Sequence, residues 1–365
     1  MAILISILVT SGISAGLALL LVIAELLFAN YGECKITIND EKELTVEGGS
    51  SLLSVLAEES IFIPSACGGR GSCGFCKAKV LNGGGPVLPT EKPFLSKDEL
   101  NDNYRLTCQI KVKNDIEMEI PDELFNIKRF KAKVTKIVDQ THDIKEITLK
   151  LVEPEKIKFK AGQYIQLETP KYKGNNQKVS RAYSISSKPE DDNIIQLIIR
   201  KVPDGICTTW VHEYMKEGDE VYFVGPFGDF YIRDTATDMI FIAGGSGKAP
   251  IKSMIEHLQQ KKSERRMVYF FGARTKKDLY LTEEFMKMED KLKDFSYIPV
   301  LSQPSENSDW KGKTGYIPKY LDEYIKDADK TEAYLCGSPK MIAAVEKSLK
   351  KLGIKDNNIY YDSFS

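Results

Sequence analysis

Cys67, Cys73 and Cys76 lie within the ten residues CGGRGSCGFC, and Cys108 follows far downstream, giving the spacing C-x5-C-x2-C-x31-C. Three thiolates from one loop and a fourth returning to it can hold two irons bridged by two sulfides, a [2Fe-2S] cluster. Gly68, Gly69, Gly71 and Gly74 let backbone N–H groups turn toward the sulfurs, where hydrogen bonds would stabilise the charge of a reduced cluster. Zinc is the rival ligand, yet structural zinc sites present spaced Cys or Cys/His pairs rather than a glycine-rich triple plus one. The other three of the seven cysteines, Cys34, Cys207 and Cys336, are far apart. That scatter is no disulfide framework and points to a reducing compartment.

Further stretches carry residue types suited to nucleotide chemistry. RAYSISS, residues 181–187, offers a guanidinium for a pyrophosphate, an aromatic ring to stack on an isoalloxazine and a hydroxyl near its reacting nitrogen. Taken alone the motif is weak, because it also describes a strand whose Tyr packs in a core. FIAGGSGKAPIKSMI joins an apolar strand to a helix through Gly244, Gly245 and Gly247, where a dinucleotide pyrophosphate could approach N–H groups at the helix start. It is not a P-loop, which would need glycine in place of Ile242 and a hydroxyl in place of Ala249, nor is it G-x-G-x-x-G. GARTKKDLY supplies Arg274, Lys276 and Lys277, either a seat for the 2′-phosphate of NADPH or surface charge. His142, His212 and His257 have no spacing for a triad or a metal site, and Cys207 has no activating pattern; all four read as structural.

Periodicity shows which elements must position these residues. No charged residue occurs from Ala2 to Ala24, which exceeds the ~20 residues needed to cross a bilayer. The expectation is a transmembrane anchor over 1–30 rather than a cleaved signal, since no basic segment precedes the apolar run. Gly12 and Gly16 give it a small-residue face for another helix. CKITIND and KELTVEGG then predict a hairpin, SLLSVLAEES a helix capped by Ser50 or Ser51, and GFCKAKVL and IEMEI further strands. Together they predict a small α+β domain over 34–121. KAKVTKIVD, DIKEITLKL, YIQLET and IIQLIIRKV predict an antiparallel β-barrel over 130–234. Strands alternating with helices over 235–365 predict an α/β parallel-sheet domain. A formal net charge of -1 offers no field for nucleic acid, which excludes a polyanion-binding role.

The cysteine loop resembles the plant-type ferredoxin domain, whose first gap is usually four residues rather than five. With RLTCQ around Cys108 it is similar to the ferredoxin domain of the F-subunit family of Na+-translocating NADH:quinone oxidoreductases, and the likeness extends over essentially the whole chain. KAGQYIQLE, RAYSISS and GICTTWVHEYMKEGDEVYFVGPFGDF resemble the FAD domain of the ferredoxin reductase superfamily. The resemblance implies a β-grasp fold for 34–121, FAD roles for Arg181, Tyr183 and Ser184, and a pyrophosphate site at Gly205, Thr208 and Thr209. GGSGKAP resembles the superfamily's G-G-x-G-x-A-P turn, assigning Gly244, Gly245, Gly247 and Pro250 to the nicotinamide nucleotide. Lys248 stands where this family usually has Met, and is expected to touch a phosphate or extend into solvent. YLCGSP resembles the C-G-P-P turn beside the nicotinamide and gives Cys336 and Gly337 a part in hydride geometry. The tail IYYDSFS resembles D-D-F-G and places Phe364 near the flavin ring.

The order of the motifs implies an electron relay from NADH through FAD and a [2Fe-2S] cluster, with Ser184, Cys336 and Phe364 as the catalytic set. NADH is expected over NADPH, because the family carries a similar basic segment and uses NADH. The expected setting is a single-pass subunit of the inner or plasma membrane, facing the cytoplasm and serving other integral-membrane subunits of a redox complex. One departure bears on docking: only TPKYKGNNQKVS separates YIQLE from RAYS, where the family carries a longer insertion. The alternatives are a membrane-tethered NAD(P)H reductase for a monooxygenase or desaturase, and a relay module whose nucleotide sites have decayed.

Overall fold

In a computed structural model of the chain, residues 2–28, 31–305 and 309–364 are described. They form two compact units, Met1–Ile127 and Lys128–Ser365. The first begins with the helix α1 (Ala2–Phe28). Side chains are described in α1 only at Ile7, Val9 to Leu20 and Val22, and among the described residues no helix is long and apolar enough to cross a membrane. The transmembrane anchor expected over 1–30 is therefore not shown among the described residues.

After α1 come β1 (Glu33–Ile38), β2 (Lys42–Glu47), α2 (Leu52–Glu58), β3 (Lys77–Asn82), α3 (Lys97–Asn101), β4 (Tyr104–Leu106) and β5 (Ile116–Glu119). The sheet order is β2-β1-β5-β3-β4, with β1 parallel to β5 and the other pairs antiparallel. Asn39 and Asp40 turn the β1–β2 hairpin at positive φ, which these short polar side chains tolerate. Of the two candidate caps for α2 it is Ser51 that accepts a hydrogen bond, from the Ser54 N–H at 3.2 Å. The helix then buries Leu52, Val55 and Leu56 against Ile36, Ile38 and Ile116. The cysteine loop runs between α2 and β3, so this core is its foundation.

The second unit opens with an antiparallel sheet of β6 (Lys128–Asp139), β7 (Ile144–Glu153), β8 (Tyr164–Thr169), β9 (Val179–Ser184), β10 (Ile194–Arg200) and β11 (Glu220–Phe227), with α4 (Ile206–Thr209) between the last two. The order is β10-β7-β6-β11-β8-β9, and the bridge Ile185–Leu197 joins the two outermost strands. Val134, Ile147, Leu149, Leu167 and Phe223 fill the interior. The second layer contains β12 (Asp238–Gly244), α5 (Lys248–Gln260), β13 (Met267–Ala273), α6 (Thr282–Glu289), β14 (Phe295–Leu301), β15 (Lys313–Thr314), β16 (Thr331–Gly337), α7 (Pro339–Lys351) and β17 (Ile359–Ser363). All its strands are parallel, in the order β15-β14-β13-β12-β16-β17. In β12, Met239 and Phe241 pack with Met254 of α5, whereas Ile240 and Ile242 pack with Val345 and Leu349 of α7. Cover on both faces explains why the strand reads as an unbroken apolar run.

Candidate functional site

The cysteine loop is shaped by glycines at φ of +66° (Gly68), +83° (Gly69), +73° (Gly71) and +71° (Gly74). A Cβ on Gly71 would meet only the movable end of the Gln109 side chain, Nε2 at 2.5 Å, so it is the backbone conformation that calls for glycine there. The thiols come in two pairs. Cys67 and Cys73 have their sulfurs 3.4 Å apart, while Cys76 and Cys108 hydrogen-bond to each other. Burial opposes ionisation of Cys67, but hydrogen bonds led by the Ser72 N–H outweigh it and bring the thiol down to about 6. Cys108 is brought down to about 7 by the Cys76 thiol, with help from Gln109 and the Gly71 N–H. Burial raises Cys73, and the bond to Cys108 raises Cys76.

Among the described residues no three or more His, Cys, Asp or Glu converge on a point that one ion could occupy. Four thiols in two pairs, with the Ser72 and Gly71 N–H groups hydrogen-bonded to Cys67 and Cys108, fit the donor set of a two-iron cluster.

The returning cysteine has a support that the sequence reading missed. Glu91 is completely buried, and its carboxylate accepts from Arg105 Nε at 3.0 Å, Arg105 Nη2 at 2.7 Å, the Leu106 N–H at 3.0 Å and the Leu88 N–H at 2.8 Å. Arg105 also donates to the carbonyls of Gly84, Gly85 and Pro86. The strand leading into Cys108 is thereby tied to the segment around Glu91.

In the second unit β9 carries Arg181, Tyr183 and Ser184. Arg181 donates to the Ser180 carbonyl at 2.6 Å, and Tyr183 packs half-buried on the barrel core beside the Cys207 thiol. Two buried polar atoms next to this strand, Gln166 Nε2 and Ser186 Oγ, have no hydrogen-bond partner in the protein. Orphaned groups of this kind fit a polar ligand such as an isoalloxazine along β8 and β9. Gly205 caps α4, and Thr208 follows in its first turn. Its hydroxyl accepts from the Val202 N–H at 3.2 Å and lies 3.2 Å from the Gly205 carbonyl, so it is engaged within its own turn. Thr209, one residue on, is half-buried.

The Gly244–Gly247 segment passes from β12 into α5 with Gly245 at φ +58°. A Cβ on Gly247 would collide with the Cys336 carbonyl, so glycine lets the turn lie against β16. Helix α5 has no acidic residue in its first turn and no side-chain cap, and Pro250 occupies a position that needs no N–H. Its start is thus free to receive an anion. Lys248 corrects the sequence reading: it is wholly buried and points into the core, neither at a phosphate nor into solvent. Farther along α5, the Lys252 ammonium reaches the Ser186 carbonyl at 3.3 Å and Gln196 Oε1 at 3.0 Å, and Ser253 Oγ donates to the Ser187 carbonyl at 2.6 Å. The helix that begins at the glycine turn is therefore fastened to the end of the RAYSISS strand.

Ser184, Cys336, Gly337 and Phe364 come together where the two layers meet. Ser184 Oγ donates to Asp362 Oδ2 at 3.5 Å, Asp362 stands opposite Cys336 in the β16–β17 register, and the Phe364 N–H donates to the Gly337 carbonyl at 2.9 Å. Cys336 is completely buried and its thiol is pushed up by burial. Burial raises the Asp362 carboxyl to about 6, against the pull of the Ser184 hydroxyl. Asp362 was not singled out from sequence; the register that aligns it with Cys336 is the missing signal. Ser338, a departure from C-G-P-P, caps α7 by accepting from the Met341 N–H. Lys276 is paired with Asp309 at 2.8 Å. His212 bonds the Ile199 carbonyl at 3.1 Å and His257 bonds Glu190 at 2.7 Å, whereas His142 is exposed.

Three family models match the chain in succession: a 2Fe-2S iron-sulfur cluster binding domain over residues 36–113, an oxidoreductase FAD-binding domain over 131–232 and an oxidoreductase NAD-binding domain over 241–347. Among solved structures, the Amycolatopsis cytochrome P450 reductase GcoB is 26% identical with a TM-score of 0.73, covering 91% of this chain and 98% of that one. The ferredoxin reductase in carbazole 1,9a-dioxygenase is 25% identical with a TM-score of 0.71 over the same shares. The curated relatives are nearer in sequence. The F subunit of the Na(+)-translocating NADH-quinone reductase of Neisseria gonorrhoeae is 36% identical over 100% of both chains, and that of Histophilus somni is 38% identical over 95% of this chain and 96% of its own. Identity of that order over the full length, on three cofactor domains in the same order, shows that the chain belongs to the F-subunit family of Na(+)-translocating NADH-quinone reductases.

Proposed function

We propose that the chain is the NADH-oxidising, electron-input subunit of a membrane redox complex, passing electrons from NADH through FAD and a [2Fe-2S] cluster to a quinone-reducing, Na+-translocating assembly. The observation that carries this reading is the meeting of Ser184 with Asp362 and Cys336 beside the glycine turn, in a chain that also holds two pairs of thiols on a glycine loop. When bound, a nicotinamide supplies two electrons as hydride, a flavin takes the pair, and a [2Fe-2S] cluster carries electrons singly.

The residues divide the work accordingly. Gly244, Gly245 and Gly247, with the start of α5, hold the nicotinamide nucleotide, and Pro250 shapes that first turn. Arg181, Tyr183 and Ser184 hold the flavin, with the helix start at Gly205, Thr208 and Thr209 at its pyrophosphate. Cys336, Gly337 and Phe364 border the place of transfer, where burial excludes water, and Asp362 fixes the Ser184 hydroxyl. Cys67, Cys73, Cys76 and Cys108 hold the cluster. NADH rather than NADPH is the donor, consistent with the engagement of Lys276 by Asp309.

The domains are assigned as an anchor over 1–30, a cluster domain over 34–121, an FAD domain over 130–234 and a nicotinamide domain over 235–365. A single-pass anchor facing the cytoplasm is supported by the uncharged run from Ala2 to Ala24 and by the exposure of Ile7, Val9, Ile13, Leu17, Leu19, Leu20 and Val22 on α1. Other integral-membrane subunits are its expected neighbours. The oxygenase-reductase alternative is not favoured: it rests on likenesses of 25–26% identity, against 36–38% for the F-subunit relatives.

The test is anaerobic titration of the detergent-solubilised chain with NADH. Expected are about one FAD and two irons per chain, bleaching of the flavin by NADH and a reduced-cluster EPR signal. A colourless protein lacking both pigment and iron would end the proposal.

A further inference from the structure

The glycine turn at the head of α5 is gripped at two points by a single residue behind it. Lys248, three residues after Gly245, turns inward and is 0% exposed. Its Nζ donates to the Tyr280 carbonyl at 2.5 Å and lies 3.2 Å from the Tyr297 hydroxyl. The ammonium stands 3.7 Å from the Phe271 ring centre, with the rings of Tyr280, Phe285 and Tyr297 at 4.5, 5.1 and 5.4 Å. Among the described residues no carboxylate pairs with it. Burial pushes this amine well below the usual lysine range, with Glu284 pulling the other way, and the oxygen acceptors and ring faces partly offset the cost of burying it.

Tyr280 completes the grip. Its hydroxyl donates to the Gly245 carbonyl at 2.8 Å, and its ring stands edge-on to Phe271 at 5.6 Å. One end of the turn therefore holds the Tyr280 backbone through Lys248, and the other end is held by the Tyr280 side chain. Gly245 sits at φ +58° and α5 has no side-chain cap, so this clasp fixes a peptide with few other restraints.

We propose that Lys248 and Tyr280 are positioning residues for NADH: together they orient the Gly245 peptide so that the N–H groups opening α5 face a bound pyrophosphate. The proposal rests on assigning this turn to NADH. Neither residue touches the reacting atoms, so the clasp acts on affinity and leaves the chemical step alone.

Two variants of the FAD-loaded full chain test it by NADH:ferricyanide kinetics. Tyr280→Phe removes one hydroxyl and keeps the ring; Lys248→Met removes the donor and keeps the length. Each is expected to raise the KM for NADH about three- to tenfold, the range of one hydrogen bond, with kcat and FAD content within about twofold of the parent. The double variant should rise no further than the larger single, because both bonds serve one clasp. Tyr280→Phe keeps the ring and its packing, so it should melt within about 2–4 °C of the parent. A KM that rises while stability barely changes cannot come from loosened packing alone. Unchanged KM in Tyr280→Phe, or additive rises in the double variant, would overturn the clasp. Absence of any saturable NADH reaction in the parent chain would instead overturn the assignment of the turn, and the clasp with it.

Discussion

Replacing Glu91 by Gln should unseat the fourth cluster cysteine without touching a sulfur. The carboxylate is completely buried, its ion pair with Arg105 is 2.7 Å long with the guanidinium side chain only 7% exposed, and it takes four hydrogen bonds, two of them from the backbone N–H groups of Leu88 and Leu106. Gln keeps the volume but places an NH2 against donors and leaves the guanidinium without its counter-charge. Breaking a buried pair from one side costs about 3–5 kcal/mol. With a urea slope of about 1–3 kcal/mol/M, the midpoint should fall by at least ~1 M. The readout is visible absorbance of the holoprotein in urea, with flavin fluorescence reporting the second unit separately. Arg105→Met should cost at least as much, because it strips Glu91 of its counter-charge and leaves the carbonyls of Gly84, Gly85 and Pro86 without their donor. Opposing burial, Arg105 and the two N–H groups hold the Glu91 carboxyl below its usual range, so its stabilisation is complete above pH ~4.5 and fades as pH falls through the lowered value. A shift below ~0.3 M, or an Arg105→Met midpoint equal to the parent's, would contradict the buried-pair account.

Four further outcomes are expected. NADH-driven flavin reduction should rise with pH through about 6 as Asp362 ionises and fixes the Ser184 hydroxyl, and stopped-flow on Asp362→Asn should give a flat profile; an inflection retained in the variant would dismiss Asp362. Because the Asp362 carboxyl is raised by burial, the stability it contributes is complete below its unfolded value of 3.8 and is lost as pH rises through about 6, which thermal melts of the same variant read directly. Lys252→Met should slow flavin reduction about ten- to a hundredfold while FAD stays bound, since small misplacements of reacting groups carry such penalties; an unchanged rate would show that the α5 fastening does not set the geometry. Cys73→Ala should abolish the reduced-cluster EPR signal while NADH still bleaches the flavin, and a surviving signal would remove Cys73 from the ligand set.

The elements were legible because their patterns are local. β12 announces itself as an apolar run, α2 by its serine cap, and the cysteine loop by glycines that only positive φ explains. What escaped was set by pairing across the chain. Nothing near Asp362 in sequence marks it until β17 lies beside β16, and Glu91 looks like a surface residue until Arg105 closes over it. Lys248 misled for a related reason: beside a glycine turn a lysine reads as a phosphate ligand, but its side chain leaves from the inner face of α5, where Phe271, Tyr280, Phe285 and Tyr297 wait. The anchor over 1–30 is the converse case, plain in composition yet not shown among the described side chains.

On the proposed assignment of the glycine turn to NADH and of β9 to the flavin, helix α5 explains how one short segment can serve both nucleotides. Its first turn offers N–H groups to an anion, Lys248 ties that turn down to Tyr280, and one turn later Lys252 and Ser253 reach the carbonyls of Ser186 and Ser187, just past the flavin strand. Any shift of the helix along its axis would move the glycine turn and the β9 attachment together. The Lys252 ammonium is also held by Glu256 at 3.0 Å and Glu146 at 3.7 Å, so its position is fixed from the helix and from the barrel at once. Hydride transfer tolerates little error in distance, and a rigid helix shared by both sites is a direct way to keep that error small. Loosening Lys252 should therefore slow flavin reduction, whereas loosening Lys248 should weaken NADH binding: two residues one turn apart, separated by which constant they change.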